Sequence, residues 1–220
     1  MAKPRILFLT AYVPNKAAAG EKNTMIMLND LAQDYDVDLV YFKYDHEAPY
    51  QPERDNVKVL EVIRNSTKTK LFGIANYPVS HPVFSIRFSW AKLHRLRRLI
   101  KGKDYSAVIL NHSNVFIYGR YLCPGKPKLL LAHDVIIQRA LRQSGKLMQM
   151  VCRRSEGGAF RIPHAHVYSF SQKDVELIKD IYHIPAEVNL DYIDPDIVNK
   201  EVTEVGDYYF MFGDWKRSEI

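Results

Sequence analysis

Two histidines stand directly after short apolar runs, where a buried strand would end and expose them. His133-Asp134 follows Leu129-Leu130-Leu131-Ala132, and His112 sits between Asn111 and Ser113 after residues 107–110. At a strand end a histidine can present a ring nitrogen to a bound hydroxyl or phosphate, or act as a base. His133 can also do no more than hydrogen-bond a neighbouring loop carbonyl, and His112 can be simply a turn residue; the sequence alone leaves these roles open. Gly20, in Ala18-Ala19-Gly20-Glu21, is a third candidate. Small residues there let the backbone approach a ligand, and a helix opening at that point favours an anion, although a plain turn has the same composition. There is no G-x-G-x-x-G fingerprint and no P-loop. His164 and His166 form an H-x-H pair without an evident third ligand, so no metal site is expected. No Ser-His-Asp order and no paired-carboxylate signature is present.

Charge supplies a second kind of candidate. Between Arg87 and Lys103 there are seven Lys or Arg residues and no Asp or Glu, against a net charge of +6 for the whole chain. The basic character is therefore a local patch, which points to an anionic surface partner. On a helical projection Leu93, Leu96, Leu99 and Ile100 share one arc, while Arg95, Arg97, Arg98 and Lys101 fall opposite. Trp90 and Phe88 lie near the edges, and only Lys92 and Lys103 intrude on the apolar side. Such a helix packs its leucines into a core as an ordinary surface helix. It can also turn Trp90, Arg95, Arg98 and Lys101 toward anionic lipid, at about 1 kcal/mol per basic residue. No RNA- or DNA-binding motif accompanies the charge, so nucleic acid is not expected as a partner.

Elements must hold these residues in place. Short apolar runs predict strands at 6–10, 37–44, 57–63, 107–110, 128–132, 165–170 and 186–190. Helical spacing predicts helices from about 21, over 88–101, over 115–121 and over 135–160, the last broken at Gly145 or at Gly157-Gly158. Ser171 with Asp174 three residues on is a capping-box-like start for a helix through Tyr182. Segments 45–55 and 65–82, rich in proline and polar residues, read as irregular. Alternating strands and helices predict an α/β fold, a Rossmann-like parallel sheet with helices on both faces, which binds ligands at the carboxyl ends of its strands. That rule selects His112, His133, Asp134 and Ser171.

With 220 residues, one full domain is expected. Residues 207–220 read as a further strand and a Gly-Asp turn, so a boundary is expected between 1–205 and the start of a second domain at 206–220. No apolar run is long enough to span a bilayer. The run after Lys3-Pro4-Arg5 is too short for a signal-peptide core, which predicts a cytoplasmic protein. Cys123 and Cys152 form neither a disulfide framework nor a zinc site, and reduced thiols are expected.

Taken in order, these segments resemble retaining GT-B glycosyltransferases, the GT4-like group 1 type. Residues 6–14, Ile-Leu-Phe-Leu-Thr-Ala-Tyr-Val-Pro, followed by Gly20 and a helix, look like that family's opening. His133-Asp134 looks like its histidine motif, Glu156 matches on a helix, and Ser169-Phe170-Ser171-Gln172-Lys173-Asp174 is similar to its T-V-S-E-x-D segment. Ile184-Pro185-Ala186-Glu187-Val188 through Asp194, and Phe212-Gly213-Asp214-Trp215-Lys216-Arg217, resemble its link and the first strand of its second domain. The chain departs at Ala18-Ala19, where a glycine pair is common, and at Asp191-Tyr192-Ile193, where Asn-Gly-Val is usual.

The resemblance implies the N-terminal, acceptor-side half of a two-domain transferase that uses a nucleotide sugar as substrate and needs neither cofactor nor metal. It implies that His133 meets the donor sugar or transferring centre and that Gly20 lies near the donor diphosphate, with His112, Asp134 and Ser171 as substrate-binding candidates. The expected partners are the nucleotide sugar, a glycan or lipid-linked acceptor and an anionic membrane surface. Together with the basic helix this predicts a role in cell-surface polysaccharide or glycolipid assembly, peripheral on the inner face of the membrane. A GT-B-fold sugar-nucleotide epimerase and a non-catalytic flavodoxin-like module are the alternatives.

Overall fold

Seven apolar runs become seven parallel strands in one sheet. The computed structural model describes residues 3–16, 19–77 and 79–189. The strands are β1 (Arg5–Thr10), β2 (Asp36–Tyr44), β3 (Val57–Asn65), β4 (Ala107–Asn111), β5 (Lys128–Ala132), β6 (Ala165–Ser169) and β7 (Ala186–Val188). Their spatial order is β3-β2-β1-β4-β5-β6-β7. The order reverses between β1 and β4, so the connections leaving those two strands run in opposite directions. A crevice opens at their carboxyl ends, the usual ligand position in such sheets. The predicted α/β Rossmann-like class is the observed one. The segments expected to form the last strand, the second-domain boundary and the Asp191-Tyr192-Ile193 departure lie outside the described residues, as does Ala18.

The pleat divides the core. Leu7 and Leu9 of β1 belong to one buried cluster with Leu93 and Leu96, while Ile6 and Phe8 belong to another with Met25 and Leu28. Alternate side chains leave opposite faces of a strand, so β1 is apolar on both sides. Helix α1 (Ala19–Asp34) covers the second face; α4 (Trp90–Ile100), α6 (Lys146–Phe160) and α7 (Gln172–Tyr182) pack on the first.

The starts of α4 and α7 follow their sequence signals. Ser89 accepts from the Lys92 amide and Ser171 from the Asp174 amide, each satisfying a first-turn donor. The long helical stretch breaks at Ser144-Gly145, separating α5 (Ile136–Gln143) from α6, and continues through Gly157-Gly158. Gly157 faces the Tyr182 ring so closely that a Cβ there would come within 2.9 Å of it. Residues 115–121, expected as a helix, fall mostly within the 3-10 helix Ser113–Arg120. The segment 65–82, expected to be irregular, contains α2 (Thr67–Ala75), capped by Ser66, and the single turn α3 (Pro82–Ser85) starts at its last residue. Tertiary contact rather than periodicity holds α2. Gly73 lies against Ile86, and Ser85 donates to the Gly73 carbonyl at 2.8 Å, while Leu71, Phe72 and Ile74 remain exposed.

The basic helix is more committed to the fold than its sequence suggests. Leu93 and Leu96 are buried as expected. Arg95 pairs with the nearly buried Glu61 at 2.6 Å, Arg97 donates to the Tyr121 carbonyl, and Lys103 pairs with Asp38 at 2.8 Å. Lys92 lies over the Phe42 ring, and burial pushes its ammonium down to about 8. Arg98 and Lys101 remain exposed, and Trp90 is 65% exposed. No helix among the described residues is long and apolar enough to cross a membrane.

Candidate active site

The two strand-end histidines meet. The imidazoles of His112 and His133 stack with centroids 3.8 Å apart and planes 20° from parallel. Tyr12, just after β1, meets His112 edge-on at 4.7 Å, and Phe170, just after β6, lies 4.6 Å from His133. Three adjacent strands, β1, β4 and β5, and then β6 thus deliver one aromatic or imidazole ring each to the crevice at the switch point.

Gly20 forms its roof. A Cβ at this position would stand 3.2 Å from His133 Nδ1 and 3.5 Å from His112 Cε1. The glycine is required by close approach of the first turn of α1 to the ring pair, a contact that adding a methyl group would crowd. The expected donor-diphosphate role of Gly20 thus has a structural companion, since it shapes the space above the imidazoles.

His112 carries backbone strain. Its φ is 74° with ψ 131°, a region that side chains with a Cβ rarely occupy. Its amide still bonds the Leu131 carbonyl at 2.9 Å, so the chain twists only after the β4 ladder has ended. Non-glycine residues held this way cost about 1–3 kcal/mol and gather at functional sites. Nε2 of His112 is buried and has no partner.

A polar network fixes the tautomer of His133. Asn111 Nδ2 donates to Thr10 Oγ1 at 3.2 Å and to Thr24 Oγ1 at 2.8 Å, and Thr24 donates to the Gly20 carbonyl at 2.7 Å. Asn111 Oδ1 must therefore face His133 Nε2, 2.7 Å away, as an acceptor. The proton of the neutral ring is on Nε2, and Nδ1, toward Gly20, keeps its lone pair. Burial pushes His133 down to about 4 and, with the nearby His133 and Arg87, holds His112 well below its ordinary value. Both rings are neutral at physiological pH. They can exchange hydrogen bonds with a bound hydroxyl but supply no positive charge.

The other expected site residues divide. Asp134 is exposed on the rim of a cleft next to the ring pair. Ser171 is engaged locally: its hydroxyl accepts from the Asp174 amide at 3.1 Å and donates to Asp174 Oδ2 at 2.8 Å, the capping role its sequence also suggested. Glu156, matched on its helix in the sequence, is fully buried away from the rings. It accepts from the amides of Ile136 and Ile137 at 2.6 and 2.9 Å and from the Tyr182 hydroxyl at 2.6 Å. Sequence reasoning missed Tyr12, Asn111 as tautomer-fixing group and Arg87, which packs over Tyr12. Only the strand-end position of Tyr12 and Asn111 could have drawn attention to them.

Among the described residues no group of three or more His, Cys, Asp or Glu side chains could hold a metal ion. The chain matches no protein-family model, and no curated protein matches it at a significant level.

Proposed function

We propose that this chain is the N-terminal, acceptor-side domain of a retaining GT-B glycosyltransferase. It takes part in transferring a sugar from a nucleotide-sugar donor to a glycan or lipid-linked acceptor in cell-surface polysaccharide or glycolipid assembly. The observation that carries the reading is the neutral His112–His133 stack beneath Gly20 at the switch point of the sheet. A polar, uncharged pair suits recognition of sugar hydroxyls. It suits the acid–base work of an epimerase poorly, because a ring pushed down to about 4 is a weak base at neutral pH. His133 acts here as a hydrogen-bond partner to the transferring sugar. Stabilisation of the leaving diphosphate, the main electrostatic demand of the reaction, falls to groups outside the described residues.

The reading is tested by incubating the chain alone, and the protein with its downstream sequence, with a panel of nucleotide sugars and lipid-linked acceptors. The chain alone is expected to fold without multiple turnovers. Robust turnover by it would overturn the two-domain arrangement, and no transfer by the longer protein would favour a non-catalytic binding module.

An anionic membrane surface completes the proposal. Trp90, Arg98 and Lys101 lie within about 80° of arc on the outer side of α4. Beside it, Phe72, Val79 and Trp90 border a largely apolar groove of about 570 Å³ that also has Arg120 and Arg154 on its lining. Exposed apolar side chains flanked by arginines are the composition of an interfacial contact. Liposome co-sedimentation should show binding to anionic but not neutral vesicles, weakened by salt as the Debye length shrinks from about 10 Å at 0.1 M to about 3 Å at 1 M. Arg98→Glu/Lys101→Glu should abolish it, and Phe72→Ala/Trp90→Ala should weaken it without altering the salt dependence. Arg95 is a poor probe, because reversing it would set two carboxylates together at Glu61. Equal binding to both vesicle types would mean that α4 does not recognise an anionic membrane.

A further inference from the structure

Arg87 is 5% exposed, yet no carboxylate among the described residues pairs with it. Its Nε donates to the Ala11 carbonyl at 3.3 Å, and its guanidinium lies over the Tyr12 ring at 4.7 Å. Leaving a buried charge without a counter-ion is costly, and a carbonyl and one aromatic face offset only part of that cost. The planar guanidinium fork suits the oxygens of a phosphate or carboxylate.

The surroundings of Arg87 are those of a binding cleft. It lines a space of about 690 Å³ beside the ring pair, together with Tyr12, Asn114, Asp134 and Arg142. Asn114 is 4% exposed, and its side-chain carbonyl oxygen is buried without a partner. His112 Nε2, behind Tyr12, is also without one. A buried polar atom left without a partner is costly, so each of these favours a ligand that meets it. The 3-10 helix Ser113–Arg120, which carries Asn114, has no side-chain cap at its start. An unpaired buried cation, an unpaired buried acceptor and an uncapped helix start thus gather at one end of the sheet. Among the described residues Asp134 is the sole carboxylate on the lining, and it is exposed to solvent.

We infer that this cleft holds an anionic group of the sugar acceptor, a phosphate monoester or a carboxylate, on Arg87, with Asn114 accepting from a neighbouring hydroxyl. The identity of the ligand as acceptor rests on the transferase reading; the anion preference does not.

The test is isothermal titration of the 220-residue chain with glucose, glucose 6-phosphate, glucuronate and uridine diphosphate. Variants are Arg87→Met, which keeps the aliphatic stem, and Asn114→Ala. Glucose 6-phosphate or glucuronate should bind at least about 10-fold more tightly than glucose, the scale of one charge-assisted pair. Comparing the two distinguishes phosphate from carboxylate recognition. Arg87→Met should erase the preference and leave the melting temperature of the unliganded chain unchanged or higher, because an unpaired buried charge is gone. If that variant does not fold, the wild-type preference for the anionic sugars decides the charge, and Asn114→Ala decides the cleft: it should weaken glucose 6-phosphate and glucuronate binding several-fold through the lost hydroxyl contact. Equal binding of charged and neutral sugars overturns the inference, as does wild-type binding by both variants. Arg87-dependent binding of uridine diphosphate alone also overturns it and assigns the cleft to the donor. Failure of sugar transfer in the longer protein, with anion binding intact, would count against the transferase reading only.

Discussion

Replacing His133 with alanine in the protein that carries out transfer should lower kcat/KM by about 10²-fold or more, the scale of a hydrogen-bonded group that touches the reacting centre. The loss should come without loss of the sheet, since His133 follows the last residue of β5. The pH profile gives a second, independent check. Burial pushes His133 down to about 4 and lowers His112 as well, so neither should contribute a limb near pH 6.5. A limb near 6.5 that disappears in His133→Ala would contradict the neutral ring assigned through Asn111. An unchanged rate in His133→Ala would reduce the residue to a structural hydrogen bond. Gly20→Ala is a graded companion: a methyl group 3.2 Å from Nδ1 must displace the ring by a few tenths of an ångström. It should lower the rate less than removing the imidazole.

The strands were legible because parallel strands are buried on both faces and appear as continuous apolar runs, as at residues 6–9 and 129–132. The position of His112 and His133 followed from strand ends alone. Their contact did not, since it depends on the order β1-β4-β5 and on the positive φ at His112, neither of which has a local signal. Arg87 shows the limit most clearly. In sequence it opens a basic run and counts as one more surface charge, whereas the fold buries it over Tyr12, 75 residues earlier in the chain. Helix α2 was missed for the opposite reason. Its exposed Leu71, Phe72 and Ile74 carry no inward-facing period, and Gly73 argues against a helix unless Ile86 is known to pack on it. Ser171 carried two sequence signals, a strand-end position and a capping box, and the local one accounts for its hydrogen bonds.

Glu156 should dominate the stability of the domain and its dependence on pH. Its carboxylate is the N-terminal cap of α5, reached from α6 and bonded to Tyr182 of α7, so one side chain ties three helices. Glu156→Ala strands three donors, two of them buried, and opens a cavity, and about 3–5 kcal/mol of stability should be lost in chemical denaturation. Glu156→Gln keeps the shape but turns an amide NH₂ toward Ile136 N–H or Ile137 N–H, because each carboxylate oxygen accepts from one of them. It should cost about 1–3 kcal/mol at pH 7. Burial pushes the carboxyl up to about 7, with Asp134 adding to the rise, while the bonds from Tyr182, Ile136 and Ile137 only partly offset it. A carboxyl that holds its proton more tightly when folded contributes stability present below its unfolded value of 4.5 and lost as pH rises through 7. The size is about 3 kcal/mol across that window. The two histidines act in the opposite sense, since their depressed values cost stability as pH falls below 6.5. Total stability therefore mixes the two, whereas the difference between wild type and Glu156→Gln cancels the histidines. That difference should be largest near pH 4.5 and shrink toward pH 7. A flat difference would mean that the helix-capping bonds just offset the burial of Glu156, and one that grows with pH would mean that they outweigh it and favour the ionised form in the fold.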